Sequence, residues 1–194
     1  MNETQHTLIQ RLQQKELTDE EAWQLFVETY ESFIIAILIK ININQEEARD
    51  LKQIILLKLW EKLPSFKYEP ERAKFRTWIY SVTKNTAISH IRSLNSEQDR
   101  ISQYFSENES EATSEFNKLF TQEWQMFISN KAMEKISEDF TPQSIEIFKQ
   151  CLAGAKSSEL ARQYNLQPNS VVRIKNRVKE QLMVEIGKLR TELE

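Results

Sequence analysis

Glycine and proline are scarce in this chain: two of the first and four of the second among 194 residues. An all-β sandwich or barrel needs many turn-forming residues, so this scarcity excludes that class and favours helices. A single cysteine, Cys151, excludes an internal disulfide and suits a reducing compartment. Two histidines, His6 and His90, stand far apart without metal-ligand spacing. With Gly154 and Gly187 as the only glycines, there is no glycine loop to cradle a phosphate. The longest apolar stretch, Phe33 to Ile43, is interrupted by Lys40 and Asn42 and falls short of the roughly 18 to 20 residues of a membrane span. The start, Met1-Asn2-Glu3, lacks the basic and apolar segments of a signal peptide. These absences predict a cytoplasmic protein with no membrane span, no metal and no cofactor. Nor do its carboxylates assemble with a nucleophile and a base, so no enzyme is expected.

What is abundant is Leu, Ile, Glu, Lys and Gln, most of them good helix formers. The net charge of −3 hides an uneven distribution. Lys67, Arg72, Lys74, Arg76, Lys84 and Arg92 face only Glu69 and Glu71 in one segment. A second basic segment runs from Lys156 to Arg190. Between them, from Glu97 to Glu123, seven acids outnumber Arg100 and Lys118. Phosphate contacts are local and screened beyond about 10 Å, so an acidic total is compatible with nucleic-acid binding.

Apolar periodicity predicts the elements. Trp23, Phe26, Val27, Tyr30, Phe33, Ile34, Ile37, Leu38 and Ile41 recur at three- and four-residue steps, the stripe of a helix from about Glu20 to Ile41, with Thr18 and Glu21 as a capping box. A second helix is expected over 46–62, with Leu51, Ile54, Ile55 and Leu59 inward and Pro64 ending it. A third is expected over 74–94, through Phe75, Trp78, Ile79, Val82 and Ile91. The spacing thus predicts an all-α protein of two small helical domains: a bundle over 1–94, an acidic flexible linker over 95–131, in which Phe116, Phe120, Trp124 and Phe127 suggest a helix leading into the second domain, and a second domain over 132–194. In the second domain, Thr141-Pro142 opens a helix and Gly154 closes it. Ser157 or Ser158 opens the next, and Pro168 opens a long last one.

Three segments carry functional signals. Ser157 to Leu182 has helix-turn-helix spacing. Ala161 permits close approach, Leu166 plugs the turn, and Val171 and Val178 hold the second helix to the core. Ser157, Asn169, Ser170, Val172, Arg173, Asn176 and Arg177 are left for DNA, since Arg pairs bidentately with guanine and Asn with adenine in a major groove. An ordinary helical hairpin with a solvated basic face is the alternative. In the second segment, Lys74, Phe75, Arg76, Trp78, Tyr80, Lys84, Asn85 and Arg92 interleave rings with basic and amide groups. That mixture suits single-stranded DNA, although Phe75 and Trp78 also fall on the core stripe. The third segment, Asp50 to Trp60, has more apolar residues than one buried face needs. Leu56, Leu57 and Trp60 sit partly off the stripe and would form a partner-binding patch, unless the N-terminal residues bury them.

In this order the three segments resemble the extracytoplasmic-function class of sigma-70 family factors. Asp50, Leu51, Gln53, Leu59 and Trp60 are similar to region 2.2, which in that family binds the clamp helices of RNA polymerase. The resemblance implies polymerase contacts at Asp50, Leu51, Gln53, Ile54, Leu57 and Trp60. Phe75, Trp78, Asn85 and Arg92 resemble regions 2.3 and 2.4, which melt the minus-ten element and capture flipped bases. Glu159, Ala161, Leu166, Ser170, Val171, Arg177 and Leu182 resemble region 4, which reads the minus-thirty-five element and touches the polymerase β flap. Two departures stand out: Ile54 replaces a usual acidic residue, and Val172-Arg173-Ile174 replaces a usual Lys-Ser-Arg run, so minus-thirty-five specificity is not carried over. The implied partners are core RNA polymerase and promoter DNA, duplex and single-stranded, with room for an anti-sigma or other recruiting factor. A stand-alone helix-turn-helix regulator and an adaptor without DNA binding are the rival readings.

Overall fold

The computed structural model describes residues 11–12, 20–63, 75–95 and 109–193. Seven helices run through them in the order α1 (Glu20–Lys40), α2 (Gln45–Lys62), α3 (Phe75–Asn95), α4 (Glu109–Ser137), α5 (Pro142–Leu152), α6 (Ser157–Gln163) and α7 (Pro168–Leu193). No strand occurs among the described residues. The chain divides into two compact units, one built on residues up to Gln125 and the other on Met126–Thr191.

Helix stops use asparagine where glycine is lacking. After α1, Asn42 adopts φ +64°, its N–H donates to the Ile39 carbonyl, and the Ile43 N–H donates to that of Leu38. This is the Schellman pattern, which turns orphaned carbonyls into accepted bonds. The same pair of bonds recurs after α5 around Gly154 (φ +94°) and after α6 around Asn165 (φ +53°). Short polar side chains tolerate this left-handed conformation better than other non-glycine residues. Starts are capped as well. The Asn44 carboxamide oxygen accepts from the Glu46 and Glu47 N–H groups, and the Thr141 hydroxyl accepts from the Ser144 N–H ahead of Pro142. The expected Thr18–Glu21 capping box and the stop at Pro64 lie outside the described residues.

In the first unit, α2 packs against both α1 and α3. By length and composition alone α1 could cross a membrane. Here it serves as a core helix, with Ala22, Phe26, Thr29, Tyr30, Phe33, Ile34, Ile37 and Leu38 buried. Phe26, Tyr30 and Phe75 meet at ring separations of 4.9 to 5.9 Å, a triad whose pairs each add roughly 0.5–1.5 kcal/mol beyond area burial. Burial drives the Tyr30 phenol far above its usual pKa, so it stays neutral. Polar ties fix the helices laterally: Lys52 to Glu31 at 3.1 Å between α2 and α1, and Lys58 Nζ to the Thr86 hydroxyl at 3.1 Å between α2 and α3.

Within the expected linker over 95–131, the helix suggested by Phe116, Phe120, Trp124 and Phe127 is present but begins earlier, at Glu109, inside the stretch taken as unstructured. Residues 109–131 are helical, and Phe116, Phe120 and Trp124 are buried within the first unit while Phe127 and Ile128 are buried in the second. Rings at four-residue spacing line one face of a helix, and burying that face outweighs the local acidity. Residues 96–108 lie outside the described ones.

The second unit has two adjoining core clusters. Ile136, Ile145, Phe148 and Val178 form one, with Met133, Phe140, Ile174 and Leu182 around it. Ile147, Leu160, Ala161 and Val171 form the other, flanked by Cys151, Tyr164, Leu166 and Ile174. Ala161, Leu166, Val171 and Val178 thus occupy the core places their spacing suggested. Glu185 is buried and paired with Lys135 and, at 3.2 Å, with Lys188. Burial pushes its pKa up, but the two lysines' hydrogen bonds and charges outweigh this and hold it below the ordinary value.

Candidate nucleic-acid interfaces

Helix α2 buries Ala48, Leu51, Ile55, Leu56 and Leu59, and its opposite face shows how the patch is built. Ile54 is 47% exposed, Leu57 56% and Trp60 36%, with Asp50 and Gln53 exposed beside them. Two expectations change. Ile54, placed on the inner face by periodicity, points out, and Leu56, placed in the patch, points in. The stripe drifts because a helix has 3.6 residues per turn, so Leu56 shares the Ala48–Leu59 side. Leu51, expected at a partner surface, is 3% exposed and belongs to the core. Trp60 leans edge-on against Trp23 at 4.8 Å, which holds the indole at the patch margin.

Helix α3 distributes its residues among three environments. Phe75 is 1% exposed, packed against Phe26 and Tyr30. It cannot offer a ring to a base, and the expectation that it touches DNA is corrected: its role is to seat the start of α3. Trp78 is half-buried beside Phe75 at 5.3 Å, and Asn85, two turns on, is exposed. Seven residues bring a helix back to nearly the same azimuth, so Trp78 and Asn85 share a face. Arg76, Tyr80 and Lys84, at successive four-residue steps, form a different stripe. Lys74 and the Arg92 side chain lie outside the described residues.

That second stripe is engaged by the first part of α4. The Arg76 guanidinium lies over the Phe120 and Trp124 rings at 6.0 and 5.6 Å and donates to the Thr121 hydroxyl at 3.2 Å. Tyr80 packs edge-on against Phe116 (5.5 Å) and Phe120 (5.0 Å). Lys84 Nζ donates to the Thr113 hydroxyl at 3.0 Å and stands 6.0 Å from the Tyr80 ring centre. Burial raises the Tyr80 pKa, and its hydroxyl is buried with no hydrogen-bond partner among the described residues. Sequence reading missed this packing. The ring spacing announced a helix, but nothing local said which surface it would cover.

In the second unit, α6 and α7 form the helix-turn-helix. Asn169, Val172, Arg173, Asn176 and Arg177 are exposed, while Ser157 and Ser170 are half-buried. The first half of α7 therefore presents two guanidiniums and two carboxamides on one surface. Arg177 also stacks on Phe140, 5.2 Å from the ring centre, which orders its side chain at modest cost. Gln150 of α5 donates to the Tyr164 hydroxyl at 3.0 Å and braces the end of α6.

Comparison with known proteins places the first unit. The family model Sigma-70 region 2 matches residues 26–97, from Phe26 of α1 through all of α3. The RNA polymerase sigma-H factor of Pseudomonas aeruginosa is 28% identical over 89 residues, 46% of this chain and 43% of that protein. The chain's match thus spans under half the length of this curated relative. The solved structure of CnrH in complex with the cytosolic domain of CnrY is similar over 94% of this chain and 96% of that one, at 16% identity and a TM-score of 0.39. The similarity to Sigma-70 region 2 thus covers most of α1 and all of α2 and α3.

Proposed function

We propose that this chain is an alternative sigma factor of the extracytoplasmic-function class, which directs core RNA polymerase to promoters and opens the minus-ten element there. The observation that carries the reading is the region 2 match over 26–97. Asp50, Gln53, Ile54, Leu57 and Trp60 dock on the polymerase clamp helices. An apolar centre with a polar rim is the usual anatomy of such a contact. Trp78 and Asn85 meet flipped minus-ten bases by stacking and hydrogen bonding, and Arg76, Tyr80, Lys84 and Arg92 follow the strand. The second unit acts as region 4, placing Asn169, Arg173, Asn176 and Arg177 on upstream duplex, with the β flap as its polymerase partner. No covalent step is involved; binding energy drives strand opening.

Permanganate footprinting tests this. The full chain, core polymerase and a promoter fragment from its own genome should together yield reactive thymines that neither protein gives alone. Core polymerase that neither associates with the chain nor opens DNA, while the free chain binds duplex tightly, would instead establish a stand-alone regulator.

A further inference from the structure

We propose that the α4 segment Thr113–Trp124 is a built-in mask over the single-strand-binding stripe of α3, which must lift before Arg76, Tyr80 and Lys84 can meet nucleic acid. The inference rests on the reading of α3 as a DNA-contacting helix. What the segment offers that stripe is a set of nucleic-acid-like contacts. Phe116, Phe120 and Trp124 stand as a column of near-parallel rings, at 26° and 7° between successive planes. Arg76 and Tyr80 pack on those rings as they would on bases, since base and aromatic side chains both present a π-face to cations and rings. Glu123, buried, takes Lys40 of α1 at 3.2 Å and so ties the segment to the first unit.

The masked arrangement is also suited to release. Lys84 is given a neutral hydroxyl, that of Thr113, as an acceptor. Hydrogen bonds to an ionised phosphate oxygen are about twice as strong as neutral ones, so a strand offers this cation a better partner. The Tyr80 hydroxyl is buried with no hydrogen-bond partner among the described residues, a cost that water or a strand would relieve once the segment lifts. Trp78 and Asn85 lie on the other stripe of α3, so bases are read there once the neighbouring stripe is uncovered.

The test uses the full chain and a fluorescein-labelled single-stranded oligonucleotide of adenine and thymine. Hydrogen exchange on the unaltered protein should show residues 113–124 losing protection when the oligonucleotide saturates it, while 79–91 gain. Unchanged or increased protection over 113–124 would overturn the mask. In parallel, Phe116→Ala with Glu123→Gln should bind the oligonucleotide roughly tenfold tighter, because a protein that is open only part of the time binds in proportion to its open fraction. Glu115→Gln, the same charge change at an exposed position of the same helix, should leave affinity within about twofold of the unaltered chain on that argument. If unaltered and opened chains bind equally well and Lys84→Ala weakens both, the α3 reading stands and the mask is refuted. If neither chain binds and both still fold by circular dichroism, the α3 reading fails and takes the mask with it.

Discussion

The outward face of α2 lends itself to a quantitative test, because its residues differ sharply in what the fold already uses. Leu57 keeps 56% of its surface exposed, whereas Leu59, two residues on, has none. Fully burying a leucine side chain is worth about 1.5–3 kcal/mol, so docking Leu57 on polymerase can recover about half of that, near 0.8–1.5 kcal/mol. Leu57→Ala should then weaken association with core polymerase roughly four- to twelvefold. Its effect on folding should stay within about 0.5 kcal/mol, as for other exposed substitutions. Leu59→Ala leaves a cavity among packed side chains and should cost the first unit about 2–5 kcal/mol. Fluorescence anisotropy of labelled protein against core enzyme gives the first quantity, and urea unfolding of the same samples gives the second. The reasoning is refuted if Leu57→Ala binds polymerase like the unaltered chain, or if it destabilises folding as much as Leu59→Ala.

Two further outcomes follow from the second unit. Arg173→Ala with Arg177→Ala should weaken duplex binding by about 1–3 kcal/mol for each base that goes unread, or lower the slope of affinity against salt by about one for each phosphate no longer neutralised. Titrations at several salt concentrations separate the two, and no change in either would remove α7 from the interface. Glu185 has a folded pKa below its ordinary 4.5 because Lys135 and Lys188 outweigh its burial, so its contribution is full above that value and is lost as pH falls through the lowered one. Thermal melts of Glu185→Gln should therefore show a deficit of about 1–3 kcal/mol at neutral pH that shrinks on acidification below about 4.5; a deficit constant with pH would mean that the charge does not matter.

Much of this architecture was legible from residue order. The α1 stripe, the Thr141-Pro142 start and the Gly154 stop are local signals, and each element began or ended within a residue or two of its expected place. The helix-turn-helix was equally plain, since Ala161, Leu166, Val171 and Val178 are spaced by the geometry of the motif itself. Where reading failed, two apolar faces competed. On α2, Ile54 and Leu56 are chemically alike and two residues apart, and only the positions of α1 and α3 decide which one is covered. Phe75 fell on the core stripe yet also suited a base, and its packing against Phe26 and Tyr30 gives it to the core.

The sequence by itself determined a helical protein with two basic segments, a region 2 signature and a helix-turn-helix, because periodicity, caps and charge act over a few residues. Only the tertiary structure decided that the helix within the expected linker starts at residue 109, and that its first turns cover Arg76, Tyr80 and Lys84. A four-residue ring repeat states that one face will be buried. Which surface buries it depends on shape and charge brought together from residues 29 to 45 positions away, and no local pattern encodes that.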